Sequence, residues 1–154
     1  MSLHDSLDKT AVIDKLNQIL EWELAGVVRY THYSMMVFGH ARIPITSYYR
    51  GKAQESLTHA QVAGEMVTML GGHPSLKIGP LLETEKHNID DILRESYEHE
   101  RAHQKHYYDL LTLVKDRSIC LEEYCRKAIA EEDLHISEID KMLRRPGQTE
   151  QATA

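Results

Sequence analysis

The chain has 154 residues, a formal net charge of −6 and ten histidines. That length suits one domain with a real core, and the acidic balance argues against a nucleic-acid partner, whose phosphates call for clustered Lys and Arg. No apolar run reaches the roughly 18 residues of a membrane span, no secretion signal is visible, and Cys120 and Cys125 are too few and too close to frame disulfides. They read as reduced thiols of a cytoplasmic protein.

Met1 to Leu7 reads as a loose leader, after which Asp8 or Thr10 caps a first helix. Its inward positions are Ile13, Leu16, Leu20, Glu23, Val27, Tyr30, Ser34, Val37 and Ala41, in the steps of three and four that mark one helix face. Gly39 and Pro44 bracket its end. Thr46 or Ser47 caps the second helix, with a stripe of Tyr48, Lys52, Glu55, His59, Val62, Met66 and Met69. Gly71-Gly72-His73-Pro74 stops it. Ser75 to His87 lacks a strong period and is longer than an ordinary helix–helix turn, which fits a crossover. Asn88 caps the third helix, Asp90 and Asp91 suit its dipole, and its stripe runs Leu93, Tyr97, Glu100, Gln104, Tyr107, Leu111, Val114. Ser118 caps the fourth, whose stripe is Leu121, Cys125, Ala128, Glu132, His135, Ile139, Met142 and which ends near Arg144 and Arg145. No segment alternates with period two. The fold class is therefore all-α: an antiparallel four-helix bundle over residues 8–145 with one long crossover between helices 2 and 3. The polar, aperiodic tail 146–154 is expected to be disordered.

Each stripe is interrupted near its middle, by Glu23, by Glu55 with His59, by Glu100, and by Glu132 with His135. A single buried Glu or His is ordinarily a hydrogen-bonded core residue or half of an interhelical ion pair. Four such breaks at matching depth are different, because unpaired acids repel one another in a dry core. One Glu from each of two helices plus a Glu/His pair from each of the other two is the donor set of a carboxylate-bridged di-iron or di-manganese site. His99, His103 and His106 lie beside the Glu100 stripe and read as solvated surface or interface residues, a secondary iron-entry or surface metal site being the alternative. No Gly-rich phosphate loop, Gly-x-Ser-x-Gly or Cys-x-x-Cys is present.

Trp22-Glu23-Leu24-Ala25 followed by Tyr30, His59-Ala60 leading to Leu70-Gly71-Gly72, Glu98-His99-Glu100, and Glu132 to His135 together resemble bacterioferritin, over nearly the whole chain to about Leu143. The resemblance implies a cytoplasmic, homo-oligomeric ferroxidase of ferritin-like fold. Such a protein binds two iron(II) ions (manganese is the alternative), oxidises them with oxygen or peroxide, and serves iron storage or detoxification. Matched onto this chain, Glu23 and His59 would serve one iron and Glu100 and His135 the other. Glu132 would bridge, and Tyr30 would be the catalytic tyrosine beside the site.

Three departures stand out. Ser56 takes the place of the family's second bridging carboxylate: either Glu55, four residues before His59 on the same side, substitutes for it, or the site has three carboxylates, one excess positive charge and a weaker second metal position. Leu57 stands where the family's haem methionine falls, so no haem is expected by that route. The polar tail replaces the family's fifth helix, which leaves a full shell and a dimer through the first two helices as open alternatives. Two other functions follow from the Ser56 departure: a catalytically weak iron-binding or structural subunit of a mixed assembly, or a di-metal oxidase of the same fold that stores nothing.

Overall fold

Side-chain caps set the start of three of the helices. The Asp8 carboxylate accepts from the Ala11 N–H at 3.1 Å, Asn88 from Asp90 at 2.9 Å and the Ser118 hydroxyl from Leu121 at 3.3 Å. The computed structural model describes residues 6–153, in which the chain forms α1 (Lys9–Met36), α2 (Arg42–Met69), α3 (Ile89–Val114) and α4 (Ile119–Leu143). Among the described residues there is no strand. Helix α1 packs along α2, α3 along α4, and α1 against α3. Of the expected leader, Met1–Asp5 lie outside the described residues, while Leu7 is buried in the core.

The α1–α2 turn lies earlier than the sequence suggests. α1 stops at Met36 rather than Ala41, and α2 starts at Arg42 rather than after Thr46 or Ser47. Gly39 at φ +100° makes the bend, and the Arg42 guanidinium donates to the Val37 carbonyl at 2.6 Å. Pro44 then sits in the first turn of α2, where its missing N–H costs no helical bond. At the other end, Gly71 at φ +82° donates to the Thr68 carbonyl and Gly72 to that of Val67, both at 2.9 Å. This paired closure needs a left-handed residue, which Gly supplies without strain.

The buried face of α2 is also rotated from the expected one. It is made by Thr46, Tyr49, Lys52, Ala53, Ser56, Ala60, Ala63 and Val67, whereas Glu55, Val62 and Met69 are exposed and Tyr48, His59 and Met66 lie at the border. The cause is close packing of small residues. A Cβ placed on Gly26 of α1 would lie 2.8 Å from the Ser56 Oγ, so the two helices approach where neither carries bulk.

The core has two apolar layers. One gathers Val12, Leu16, Ile19, Ala63, Val67, Leu110, Val114, Leu121 and Cys125. The other gathers Tyr30, Tyr33, Val37, Tyr49, Ile92, Leu93 and Ile139. Between the layers each helix also buries polar residues, Glu23, Ser56, Glu100 and Glu132 among them, and these form the site described below.

The crossover is strapped over α1. Gly79 donates to the Glu21 carbonyl at 2.8 Å, and Ser75 binds the Asn17 and Glu21 side chains. A Cβ on Gly79 would come within 3.0 Å of that carbonyl. The tail, expected to be disordered, folds back instead. The Asp140 carboxylate accepts from the Ala152 and Thr153 N–H groups and the Thr153 hydroxyl, each at 2.8 Å.

Candidate metal centre

Three carboxylates are buried in the polar layer: Glu23 on α1, Glu100 on α3 and Glu132 on α4, each 3% exposed. Ligand atoms of Glu100, Glu132 and His135 all lie within 4.8 Å of one another. The His135 Nδ1 is 3.4 Å from Glu132 Oε1 but lacks hydrogen-bond geometry, and both it and Glu132 Oε2 are buried without a hydrogen-bond partner. Leaving such atoms unsatisfied costs about 1–3 kcal/mol each. Three converging donors with unused lone pairs fit one divalent ion.

The other expected ligands stand around this group. Glu23 Oε1 is 2.5 Å from His103 Nε2, 2.9 Å from the Tyr107 hydroxyl that donates to it, and 3.5 Å from His59 Nδ1. Glu55, half exposed, reaches His135 Nε2 at 3.4 Å from the rim. The Tyr30 hydroxyl donates to Glu100 from a fully packed position in the second apolar layer.

Two residues that the sequence did not bring to the site belong to it. Lys52 is buried, with its Nζ 3.5 Å from both Glu100 Oε1 and Glu55 Oε2. His103 is buried against Glu23, and His99 is buried beside it, so these two are not the solvated residues expected. His99, His103 and His106 each pack on the Trp22 ring, at centroid separations of 5.0, 6.1 and 5.1 Å. The signal was their spacing of four and three, a second inward stripe facing the chain's single tryptophan.

The charges are unevenly held. Burial opposes ionisation of Glu23, but the imidazoles of His103 and His59 overcome it and bring its carboxyl down to about 2. Burial likewise opposes the Glu100 charge, and its partners, Glu132 first, then Lys52 and Tyr30, hold it low. Glu132 goes the other way: burial and the facing Glu100 charge push it well above the carboxylate range. Burial and that facing charge therefore favour the protonated form of Glu132 over the ionised one. A bond to Glu23 raises the His59 imidazole, while burial and then Lys52 lower that of His135.

The space inside the layer is about 10 Å³, bounded by Glu23, Lys52, Ser56, Glu100, Glu132 and His135 among others. A larger cavity of about 220 Å³, lined by His59, Val62, Tyr107, Tyr124, Glu131 and Glu132, reaches the same layer from outside. His59 and Glu132 line both. Away from the bundle interior, His32, Glu83 and His87 form another group whose ligand atoms lie within 4.8 Å.

The ferritin-like domain profile matches residues 13–147. The chain belongs to the ferritin-like family. A bacterial non-haem ferritin of Escherichia coli O6:H1 (strain CFT073) is 28% identical over 93 residues, covering 60% of this chain and 56% of that relative. The chain thus spans little more than half the length of the curated relative it matches. Among solved structures, a ferritin-like di-iron–carboxylate protein from Bacillus anthracis (strain Ames) aligns with a TM-score of 0.83 at 22% identity over 89% of this chain and 98% of that one. The dodecameric thioferritin of Bacteroides fragilis, a bacterioferritin-related protein, aligns equally well at 20% identity over 92% and 89%. At such identities the ferritin-like likeness is one of fold. Among the described residues, no helix is long and apolar enough to cross a membrane.

Proposed function

We propose that this ferritin-like chain binds iron(II) in the polar layer and oxidises it to iron(III) with oxygen or peroxide, for storage or detoxification. The observation that carries the reading is the triad of buried Glu100 and Glu132 with partly buried His135, with its orphaned oxygen and nitrogen, set between two apolar layers of a ferritin-like bundle. Carboxylate and imidazole donors suit iron and manganese. Each iron(II) yields one electron, so two ions and two protons convert oxygen to hydrogen peroxide.

The side chains divide the work. Glu131 and Glu55, partly exposed at the rim, draw the cation inward, and His59 stands on the border of both cavities. Glu132 gives up its proton as the ion arrives. Tyr30 keeps its own, since burial holds the phenol protonated, and its hydroxyl fixes the orientation of Glu100. Glu23, already held by His103 and Tyr107, has its oxygens positioned for an ion beside His59.

The test is to expose metal-free protein to iron(II) in air and follow ferric absorbance. Oxidation faster than buffer, abolished by Glu132→Ala, is expected; a rate equal to buffer overturns the reading. Ser56 and the buried Lys52 favour a second one, in which the chain binds iron in a mixed assembly without oxidising it. Bound iron with no rate enhancement would select that alternative.

Assembly into a homo-oligomer, a dimer or larger, is part of the proposal. Val28 and Met35 on α1, Leu57 on α2 and Leu81 and Leu82 on the crossover are exposed apolar residues for a second copy to cover. Light scattering reads the result: a monomer at micromolar concentration would remove it.

A further inference from the structure

Two divalent ions bring four positive charges, and the family pattern meets them with four carboxylates. Among the described residues the polar layer of this chain has three buried carboxylates, Glu23, Glu100 and Glu132, and it adds a buried ammonium, Lys52. Lys52 lies one turn before Ser56 on the inward face of α2, and its Nζ reaches the Glu100 carboxylate from the side on which a residue-56 carboxylate is missing. Fully ionised, these four groups sum to −2, the charge that one divalent ion neutralises. The space left between these groups is small, about 10 Å³, close to a single water-sized sphere.

Resting on the iron-binding reading, we infer that Lys52 is the centre's built-in second cation. It restricts the site to one tightly held divalent ion. A second ion enters only weakly, after the Lys52 head group has swung from Glu100 to the exposed Glu55, which lies 3.5 Å from it. Lys52 thus sets metal stoichiometry, acting as a positioning residue through Glu100.

The experiment is an anaerobic titration with cobalt(II), read by its visible absorption and by equilibrium dialysis. It uses chains carrying His32→Ala and His87→Ala, so that the surface group adds no sites. One tight equivalent per chain is expected. Lys52→Gln, which keeps length and polarity, should tighten the second equivalent on the order of tenfold or more by removing a like charge. Lys52→Arg, which keeps the charge, should restore a single equivalent, a difference that a purely structural role would not produce. Two equal tight equivalents in the Lys52 chain, or no change in Lys52→Gln, overturns the inference and leaves metal binding intact. No cobalt in any of the chains overturns the iron-binding reading and this inference with it. Circular dichroism of each variant confirms the fold before titration.

A separate observation carries a second site. His32 on α1 faces Glu83 of the crossover, Nε2 to Oε2 at 3.1 Å, and His87 brings its Nε2 to 4.0 Å from the other carboxylate oxygen. The His87 Nε2 is itself buried and without a hydrogen-bond partner. Two imidazoles and one carboxylate from two separate segments, converging within 4.8 Å, suit a divalent transition-metal ion rather than calcium or magnesium. The geometry points to a surface site for such an ion, which would clamp the end of the crossover to α1. Zinc(II) calorimetry on the full chain tests it. His32→Ala with His87→Ala should remove one equivalent and leave the buried one; an unchanged zinc count would overturn the site.

Discussion

Replacing Glu132 with Met separates two reasons for which a carboxyl can lie in a core. If the group serves structure, its loss should weaken the fold. If it waits for a metal, the metal-free protein should be better off without it. Burial and the charge of Glu100 both oppose ionisation of Glu132, and its Oε2 is buried without a partner. An unsatisfied buried oxygen costs about 1–3 kcal/mol, and Met fills a similar volume with an apolar, adaptable chain. In excess chelator Glu132→Met should therefore gain about 1–2 kcal/mol, a rise of roughly 2–8 °C in melting temperature for a domain of this size. With cobalt(II) at about one hundred times its Kd the order should reverse. The wild-type chain gains about 2.7 kcal/mol from the bound ion and the variant nothing from that position. Thermal unfolding by circular dichroism, with chelator and with metal, measures both. A variant weakened in chelator by the ~2–5 kcal/mol of a truncated core leucine, beside a wild type indifferent to metal, would refute the argument.

Tyr30→Phe removes the donor to Glu100 and should cost about 1–3 kcal/mol in the chelated protein, while slowing iron(II) oxidation; unchanged melting and rate would mean that the hydroxyl does nothing for Glu100. Metal affinity should fall with pH, since Glu132 and His59 both have raised pKa values and must lose their protons to bind; cobalt(II) titrations at about pH 6 and about pH 8 should show tighter binding and proton release at the higher value, and equal affinity would contradict the assignment. Asp140 has its carboxyl depressed to about 2, bonds to Thr153, Arg144 and Ala152 outweighing burial, so its contribution is present above the ordinary value of 3.8 and is lost as pH falls toward 2. Asp140→Ala should release the tail, seen as faster C-terminal proteolysis and a melting temperature lowered by roughly 1–2 kcal/mol of stability; protection equal to wild type would mean that other contacts hold the tail.

The helices, their order and the crossover were legible in the sequence because caps, breakers and apolar spacing are local. Asp8, Asn88, Ser118 and the Gly71-Gly72 stop act within one turn of where they stand. The polar layer was legible too, because an acid in an apolar stripe departs from a regular pattern. The rotation of α2 was not. Its inward face is built from Ala53, Ser56, Ala60 and Ala63, and periodicity follows large apolar side chains rather than the small ones that let Gly26 come close. Lys52 was placed on the inward stripe, but its pairing at the site was not foreseen, for a related reason. A lysine within a stripe ordinarily sends its head group to solvent, and nothing in one helix reveals that Glu100 on another will hold it inside.

The sequence by itself determined that four amphipathic helices meet and that acids and imidazoles lie at their common level, since both follow from spacing along a single strand of chain. Only the tertiary structure decided which of those groups pair: Glu23 with His103, Lys52 with Glu100, and Glu132 against the charge of Glu100, which opposes its ionisation. Such pairings depend on distances between helices, and charge interactions in a dry layer change steeply over the few ångströms that helix rotation controls.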